Sequence, residues 1–489
     1  MGIVKKQAIS NTIVTYIGFA LGAINVMFLY TNFLTDEYFG LVQVIFSSAS
    51  VIMPIMAFGV PNTLVKFYSS FSKKKEQEGF LTLMLFLPLV LIIPIGVLSY
   101  VANDLIADFL SKKNELVRNY VWYIFFMALA ITYFEIFFAW GKIHMKSTFG
   151  NFLKEVFCRL GATIFLGLLY FKCITVDTFL LLLVGVNILR MVVMKIYAFR
   201  LRMPAINFTI PQNMKEIVSY SGLIILGGST AMLLLDVDKI MINQYIKIEN
   251  VAYYTVAGFM ASVIAVPSRA MHQITYPLTA ELLNSKNFGE LDKLYKKSSL
   301  TLFSIAGLLF LLLILNLEDI YYFLPESYAA GFIIVLWLGM IKVYDALLGN
   351  NNSILYNSNY YKTVLFLGVF LAILIILFNL WLIPKYGLIG AAIASFIAFF
   401  IYNTIKLFFV KKKFNMNPLS KKTFLIFSIL IGLGAFFYFI PFPFHPILAI
   451  LVKSVLLVFI YLGILYKFNV SEDITELINQ FLKKIYPSK

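Results

Sequence analysis

The residues of this sequence that could do chemistry are charged side chains inside long apolar segments. A charge at the centre of a bilayer costs about 2.5–3.5 kcal/mol on insertion scales, so each one needs a reason. Arg159 lies near the middle of such a segment, where a guanidinium can bind a phosphate group through two parallel hydrogen bonds. Glu155 precedes it by four residues, which also allows an ion pair within one helix. The sequence leaves both roles open for Arg159.

Three carboxylates in these segments are candidates for coupling or gating. Glu135 and Asp345 lie 210 residues apart, each near one end of its segment, where a carboxylate could take up a coupling proton or cation or pair with a base at a gate. Lys342 lies one turn from Asp345 and offers it a partner, whereas Glu135 has none in its own segment and is the better candidate. Asp236 and Lys239 are spaced i, i+3, which favours mutual neutralisation at a helix end.

Two further arginines lie in apolar segments. We expect Arg190 to extend toward the cytoplasmic surface, whereas Arg269, beside His272 and Gln273, is predicted to line a cavity. Three lysines near segment ends are predicted to anchor the helices at the cytoplasmic surface: Lys66, Lys195 and Lys406.

Uncharged polar residues concentrate in segments that we expect to face a cavity. Asn25 in the first segment, and Tyr253 and Tyr254 in the eighth, suit sugar hydroxyls because amides hydrogen-bond them and aromatic rings stack on sugars. Small residues in the same segments also serve ordinary packing of membrane helices.

The elements that position these residues follow from composition. Of the 489 residues, 61% are apolar and 13% are charged, and the mean hydropathy is +0.87. The charges separate apolar runs of about 20 residues, long enough to cross a bilayer as helices. This pattern excludes a soluble enzyme, a secreted disulfide scaffold and a disordered chain. The net charge of +16 comes without a basic domain or an arginine–aromatic stripe, so nucleic acid is not the expected partner.

Fourteen apolar segments predict an all-α polytopic membrane protein with about 14 transmembrane helices. The predicted segments are 10–33, 40–68, 80–100, 119–140, 150–171, 175–197, 217–245, 251–275, 298–317, 330–349, 362–383, 387–409, 422–440 and 446–466. With the N-terminus inside, the cytoplasmic loops and tails hold 24 Lys and Arg residues and the external loops hold six. The positive-inside rule therefore predicts that both termini are cytoplasmic.

A short internal repeat predicts two lobes. Residues 49–52 (ASVI) recur at 261–264, an offset of 212, in the second and eighth segments. Six helices per repeat give parallel lobes related by an axis along the membrane normal, an arrangement typical of transporters. The predicted divisions are an N-lobe at 1–200, a C-lobe at 211–410, a helix pair at 420–468 and an amphipathic cytoplasmic tail at 471–489.

Several motifs resemble one family. Residues 379–387 (NLWLIPKYG) with 389–395 (IGAAIAS) resemble the hairpin of polysaccharide and oligosaccharide-lipid exporters. Residues 238–242 (DKIMI) and 252–257 (AYYTVA) resemble their seventh-to-eighth helix junction, and 37–41 (EYFGL) the N-lobe counterpart. The chain thus resembles the O-antigen-type flippases of the multidrug/oligosaccharidyl-lipid/polysaccharide exporter superfamily. The first segment, 10–33, lacks the acidic residue of many drug exporters and the arginines of lipid II flippases, which favours the polysaccharide branch.

The resemblance implies movement of an undecaprenyl-pyrophosphate-linked oligosaccharide from the inner to the outer leaflet of a bacterial plasma membrane. It implies no catalysis and no cofactor, with possible coupling to protons, Na⁺ or the membrane potential. It also implies membrane lipids and polysaccharide assembly proteins as partners, and function as a monomer. A cation-coupled drug exporter is the alternative. A membrane glycosyltransferase or polymerase is less favoured, because Asp104 and Asp108 are the only external acidic candidates on a small loop.

Overall fold

The structure is a computed structural model that describes residues 2–480, apart from Ile210, Gln212, Ser229, Ile474, Leu477 and Ile478. For residues 2–6, 8, 9, 226–235 and 361 only the backbone is described. Throughout the described part the regular elements are helices, as the prediction of an all-α protein required.

The helices are short in places because the chain bends where they meet. Those of the first half are α1 (Gly2–Ile24), α2 (Tyr30–Phe33), α3 (Asp36–Met56), α4 (Val60–Phe67), α5 (Lys74–Phe86), α6 (Leu89–Val101), α7 (Asn103–Ser111), α8 (Val121–Ile143), α9 (Thr148–Phe152), α10 (Cys158–Tyr170), α11 (Val176–Leu201), α12 (Met214–Gly228), α13 (Thr230–Tyr245) and α14 (Glu249–Ser262). Those of the second half are α15 (Val266–Asn284), α16 (Phe288–Leu315), α17 (Leu317–Tyr321), α18 (Phe332–Leu347), α19 (Asn351–Asn357), α20 (Tyr361–Phe414), α21 (Lys421–Tyr438) and α22 (Pro446–Lys467). Two π-helical turns, Asn25–Leu29 and Leu153–Phe157, join α1 to α2 and α9 to α10.

In the described part of the chain, eleven helical stretches are long and apolar enough to cross a membrane. One of them, Lys362–Phe414, contains two of the predicted segments. Segment 150–171 is present as α9, a π-helical turn and α10, and segment 217–245 contains Ser229, which lies outside the described residues. The chain is therefore a polytopic helical membrane protein, and the count of 14 stays a prediction.

The chain forms two compact units. Unit 1 comprises residues 1–255 and 368–391, and unit 2 comprises 256–367 and 392–489. This division differs from the predicted lobes, which come from the repeat, and those lobes stay a prediction. The first copy of the repeat lies inside α3, four residues before that helix ends at Met56, and the second lies where α14 gives way to a 3₁₀ turn at Val263–Ala265.

α8 runs through the core of unit 1. Its apolar residues are buried on several sides, Phe134 and Trp140 completely, against side chains of α4, α5 and α11. A helix that is apolar on most faces belongs near the centre of a bundle, so Glu135 within α8 is largely enclosed by protein, whereas Lys142 at its C-terminal end is exposed. In unit 2 a second core joins α16 to α21 and α22 through Phe303, Leu430 and Tyr461.

The hairpin inside α20 explains the glycines of the family motif. Gly387 has φ 57° and ψ −132°, a conformation that side-chain-bearing residues rarely adopt, and it reverses the chain. A Cβ on Gly390 would lie 2.2 Å from the backbone oxygen of Leu382, so this position must also lack a side chain. The two arms of the hairpin therefore pack backbone to backbone.

The start of the C-terminal tail is attached to unit 2. Asp473 pairs with Lys297 of α16 at 2.8 Å and accepts a hydrogen bond from Thr301 at 3.0 Å. Most of the apolar positions that predicted an amphipathic tail helix lie outside the described residues, so the tail's place on the membrane surface stays a prediction.

Candidate functional site

Glu135 has an ion partner from another helix. α8 places this carboxylate beside the π-helical turn Leu153–Phe157, where Lys154 Nζ donates to Glu135 Oε1 at 2.6 Å. The Glu135 side chain is 14% exposed and the Lys154 side chain 32%. Sequence reasoning found no partner for Glu135 because it considered one helix at a time. The proposed coupling role of Glu135 stays a prediction, but the carboxylate is not isolated.

Arg159 and Glu155 form the ion pair that the sequence left open. Arg159 Nη1 lies 3.1 Å from Glu155 Oε2 and donates to the Glu155 backbone oxygen at 3.0 Å. The Arg159 side chain nevertheless stays 36% exposed. The pair therefore orients the guanidinium without enclosing it, and the phosphate-binding role stays a prediction.

Arg190 is more deeply placed than the sequence indicated. Its side chain is 8% exposed and its guanidinium lies over the Phe134 ring at 4.2 Å. The prediction that Arg190 extends to the cytoplasmic surface is therefore wrong, because α11 points it into the core of unit 1. Its Nε is buried and has no hydrogen-bond partner among the described residues, a deficit that costs roughly 1–3 kcal/mol.

These side chains belong to one cluster, here called the unit-1 cluster. Glu135 interacts with Lys142 and Arg190 as well as with Lys154, and the Cys158 thiol interacts with both arginines. The charged members are Glu135, Lys142, Lys154, Glu155, Arg159 and Arg190. Four basic and two acidic groups leave a formal surplus of two positive charges, which favours an anionic ligand; Arg190 is buried, Lys154 and Arg159 are partly exposed, and Lys142 is exposed.

Asn25 supports this cluster rather than standing apart from it. It is buried in the π-helical turn Asn25–Leu29, where it donates to the Arg159 backbone oxygen at 2.8 Å and accepts from Thr163 at 2.7 Å. A π-helical turn opens the backbone ladder and often marks a functional site. Asn25 and Arg159, both predicted as substrate-binding residues, are therefore in contact with each other through the Asn25 amide and the Arg159 backbone oxygen.

The contact with Arg159 is one of a series of contacts between the first helical stretch and residues 147–163. The contacting residues of 147–163 are spaced four apart: Ser147, Asn151, Glu155, Arg159 and Thr163. On α1, Asn11 donates to Ser147 at 3.1 Å, and a Cβ on Gly18 would lie 2.5 Å from the Glu155 backbone oxygen. The first helix is therefore held to unit 1 through polar contacts and close backbone approach.

In unit 2, Asp345 faces a buried lysine. Lys406 Nζ lies 4.0 Å from Asp345 Oδ1 and donates to Asn352 at 3.0 Å. Lys406 is 1% exposed and Asp345 41% exposed, so the prediction that Lys406 anchors its helix at the surface is wrong. Lys342, the partner expected for Asp345, acts on it electrostatically, as does Arg269 on Lys342. Arg269 itself is exposed on α15.

Asp236 and the two tyrosines lie in polar contacts of unit 1. Asp236 accepts from Ser47 at 2.9 Å and pairs with Lys239 at 3.3 Å, as its spacing predicted. Tyr253 donates to Asp36 at 2.8 Å, and Tyr254 donates to the buried carboxylate of Asp238 at 2.5 Å. Their roles in gating and sugar binding stay predictions, since each polar group shown has a protein partner.

Asp238 joins two of the family motifs. Asn379 of the hairpin donates to Asp238 Oδ1 at 2.7 Å, while Tyr254 of the other motif binds Oδ2. Both side chains are buried with the carboxylate. A buried carboxylate needs such donors, so the motifs are explained by one hydrogen-bond network. The sequence shows these residues as parts of separate motifs and does not predict the hydrogen bonds between them.

Among the described residues, no group of three or more His, Cys, Asp or Glu side chains is placed to hold a metal ion. Cys158 and Cys173 are both free thiols.

These features define a class of protein: a multi-pass helical membrane protein with a cluster of charged side chains on two of its candidate membrane spans and on the helical stretch 148–170 between them. The chain belongs to the polysaccharide biosynthesis protein family, whose sequence model matches residues 4–283, more than half of its length. The family resemblance drawn from the motifs is thereby confirmed.

Comparison with solved structures confirms the fold. The lipid II flippase MurJ in an inward closed conformation matches with a TM-score of 0.70, 17% identity, and coverage of 94% of this chain and 100% of that chain. An inward-facing multidrug resistance MATE family transporter of the MOP superfamily matches with a TM-score of 0.58, 15% identity, and coverage of 78% and 95%.

One curated relative is an uncharacterised membrane protein of Methanocaldococcus jannaschii. It is 25% identical over 262 residues, which are 52% of this chain and 48% of that protein. The chain thus matches about half the length of this relative.

Proposed function

We propose that this protein flips a polyprenyl-pyrophosphate-linked oligosaccharide, of the undecaprenyl type, from the inner to the outer leaflet for surface polysaccharide biosynthesis. The observation that carries the proposal is the unit-1 cluster, with its surplus of two positive charges among membrane helices. The family match and the fold shared with a flippase support it.

The unit-1 cluster suits the pyrophosphate of the carrier. A pyrophosphate diester carries about two negative charges, which would balance the surplus. Arg159 and Arg190 keep their charge in a low-dielectric site, and the planar guanidinium matches phosphate oxygens in pairs. The buried Nε of Arg190 provides a donor that an anion would satisfy. Lys154 can transfer its contact from Glu135 to the ligand, because a carboxylate and a phosphate present similar oxygens.

A cation-coupled multidrug exporter is the second candidate, since a multidrug resistance MATE family transporter shares the fold. The surplus positive charge of the unit-1 cluster opposes it, because like charges in a low-dielectric site repel strongly. A membrane glycosyltransferase or polymerase has less support. Asp108 on the external helix α7 pairs with Arg118 at 2.6 Å, so one of the two acidic residues considered for catalysis already has an ion partner.

Location and energetics complete the proposal. The protein lies in a bacterial plasma membrane with both termini cytoplasmic, acts as a monomer, and works among membrane lipids and polysaccharide assembly proteins. Transport is coupled to protons, Na⁺ or the membrane potential through Glu135 or Asp345, each of which has a lysine partner that can release it.

The function is tested in liposomes that contain the purified protein. Fluorescent polyprenyl-pyrophosphate oligosaccharide is placed in one leaflet, and its appearance in the other is followed by quenching from outside. We expect transport that depends on the protein and that Arg190→Gln reduces at least tenfold. Lys73→Gln, at an exposed cytoplasmic position, is the matched control. Accumulation of a cationic dye without movement of the lipid would establish drug export instead.

Orientation is tested with single cysteines in a chain whose Cys158 and Cys173 are replaced by Ser. We expect Lys412→Cys to react with an impermeant thiol reagent only after the cells are opened. Lys385→Cys should react on intact cells. The reverse pattern would overturn the orientation and leave the flippase proposal untouched.

A further inference from the structure

A polar stripe runs along α15 of unit 2. Arg269, His272, Gln273 and Tyr276 are spaced i, i+3, i+4 and i+7, so they share one helical face. Arg269 and Gln273 are exposed, and Tyr276 is 46% exposed. α15 belongs to the candidate membrane span Glu249–Asn284. On a membrane span, a charged, exposed stripe favours a water-filled space over lipid, because lipid cannot solvate it.

Charges from two neighbouring helices meet this stripe. Lys342 of α18 lies within electrostatic range of Arg269 and Asp345, and His272 lies within electrostatic range of Asp345 and Lys406, whose Nζ is 4.0 Å from Asp345 Oδ1. Three basic groups against one carboxylate leave a formal surplus of two positive charges even with His272 neutral. This set also favours an anionic ligand.

Aromatic hydroxyls distinguish the set from the unit-1 cluster. Asn357 of α19 donates to the Tyr276 backbone oxygen at 3.3 Å, which brings the adjacent Tyr356 near α15, and Tyr402 of α20 lies within electrostatic range of Tyr356. Tyr356 is 44% exposed, so part of its ring is accessible. Phenol rings stack on the apolar faces of sugars and their hydroxyls bind sugar hydroxyls. A bare phosphate has no ring to fill such a surface.

We infer that unit 2 carries a separate binding site for an acidic sugar of the oligosaccharide, formed by Arg269 and Lys342 for the carboxylate and by Tyr276 and Tyr356 for the ring. The inference rests on the proposed function and deepens it, because it names the class of saccharide that is exported. A uronic acid combines the two features that the site offers to recognise, a planar carboxylate and a pyranose face. Arg269 is suited to the carboxylate because its planar fork binds both oxygens.

The test compares two substrates on one carrier. Both are polyprenyl-pyrophosphate trisaccharides, identical except that one sugar is glucose in the first and glucuronic acid in the second. Flipping in protein-containing liposomes gives the ratio of acidic to neutral transport. We expect the wild type to prefer the acidic substrate, and Arg269→Gln to lower the ratio about tenfold. Arg269→Lys should restore part of the ratio, since it keeps the charge without the fork.

Two further variants keep the test decisive. Lys342→Gln and Tyr276→Leu should each lower the ratio, so misfolding of one variant does not end the experiment. Lys293→Gln removes an exposed base of α16 that is paired with Glu290 at 2.7 Å, and it should leave the ratio unchanged.

The remaining outcomes separate the inference from the proposed function. An equal loss for both substrates in folded Arg269→Gln would show that the site binds what they share, the pyrophosphate, and would overturn the inference. A wild type that prefers the neutral substrate would overturn it as well, with the flippase proposal intact. A wild type that flips neither would refute the proposed function, and the inference would fall with it.

Discussion

The charged sets of the two units carry the same formal surplus but enclose opposite partners. In unit 1 the acid is enclosed: Glu135 is 14% exposed and its lysine lies 2.6 Å away. In unit 2 the base is enclosed: Lys406 is 1% exposed, and Asp345, at 41%, stands 4.0 Å from it. Glu135 and Asp345 are near mates in the sequence repeat, so position in the chain did not determine which partner is buried. Packing of the neighbouring helices did.

The largest expected effect on stability comes from replacing the lysine of each ion pair, Lys154 in unit 1 and Lys406 in unit 2. Lys154→Met removes the hydrogen-bonded ion partner of a largely buried carboxylate, and we expect a loss of about 2–3 kcal/mol in the free energy of unfolding, below the roughly 3–5 kcal/mol of a fully buried pair because Lys154 is partly exposed. Lys406→Met leaves a half-exposed carboxylate and should cost less than about 1 kcal/mol. Both are measured by denaturant unfolding in detergent.

A double-mutant cycle provides the control for this prediction. Lys154→Met with Glu135→Met removes both charges and should recover most of the loss. Equal losses for the two single lysine variants would show that the asymmetry of burial has no energetic consequence.

The next prediction concerns the guanidinium that is paired but still accessible. Arg159→Ala should lower lipid flipping about tenfold to a hundredfold, because charge-assisted hydrogen bonds contribute roughly 1.5–3 kcal/mol each. Arg159→Lys should recover only part of the activity, since the charge is kept and the fork is lost. Flipping rates in liposomes give both values.

The ion pair with Glu155 allows an exacting control. If Arg159 exists to neutralise Glu155, the double variant Arg159→Gln with Glu155→Gln should regain full flipping. We expect it to stay impaired. Full activity would leave Arg159 as one half of a structural pair and would restrict the anion site to Arg190 and Lys154.

A smaller effect is expected at Asn25, which has no counterpart described in unit 2. Asn25→Ala removes two hydrogen bonds, one to the Arg159 backbone oxygen and one from the Thr163 hydroxyl, and should cost about 1–2 kcal/mol in stability. Asn32→Ala, an exposed amide in the same helical stretch, is the matched control and should change stability by less than about 0.5 kcal/mol. Similar losses in the two variants would deny Asn25 its supporting role.

The smallest expected effect concerns His144, which directly follows α8 and does not belong to the unit-1 cluster. Burial, and then the charge of Arg202, lower the pKa of His144. A lowered pKa means that the folded state favours the neutral ring, so this contribution is present above the unfolded pKa of about 6.5 and is lost as pH falls below it. We expect unfolding between pH 7.5 and 5.5 to depend less on pH in His144→Gln. An unchanged pH dependence would show that groups other than His144 cause the loss of stability at acid pH.

Helices and their apolar spans could be predicted from the sequence because apolar length alone determines them. Particular contacts could not. The spacing of Glu155 and Arg159 showed a possible pair, since both lie on one helix, whereas the contact of Glu135 with Lys154 depends on how α8 meets a π-helical turn. Arg190 illustrates the same limit: depth along a helix is readable from sequence, but the direction of the side chain is not.

The motifs show a different limit. Asp238, Tyr254 and Asn379 were all recognisable as family residues, and each was considered for gating, sugar binding or a hairpin separately. Their hydrogen bonds join positions that are up to 141 residues apart in the chain. No local pattern encodes such a meeting, although a carboxylate in an apolar segment indicates that hydrogen-bond donors must come from elsewhere.

The discontinuity of unit 1 has a consequence for biosynthesis. Its last stretch, 368–391, follows residue 255 by more than 100 residues, and Asn379 in that stretch supplies one of the donors to Asp238. At about 5–20 residues per second, the ribosome needs roughly 7–27 s to extend from residue 255 to 391. During that interval the membrane already holds most of unit 1, with one hydrogen bond of its buried carboxylate unmade. The N-terminal part of the chain therefore reaches its final packing only after about half of unit 2 has been synthesised.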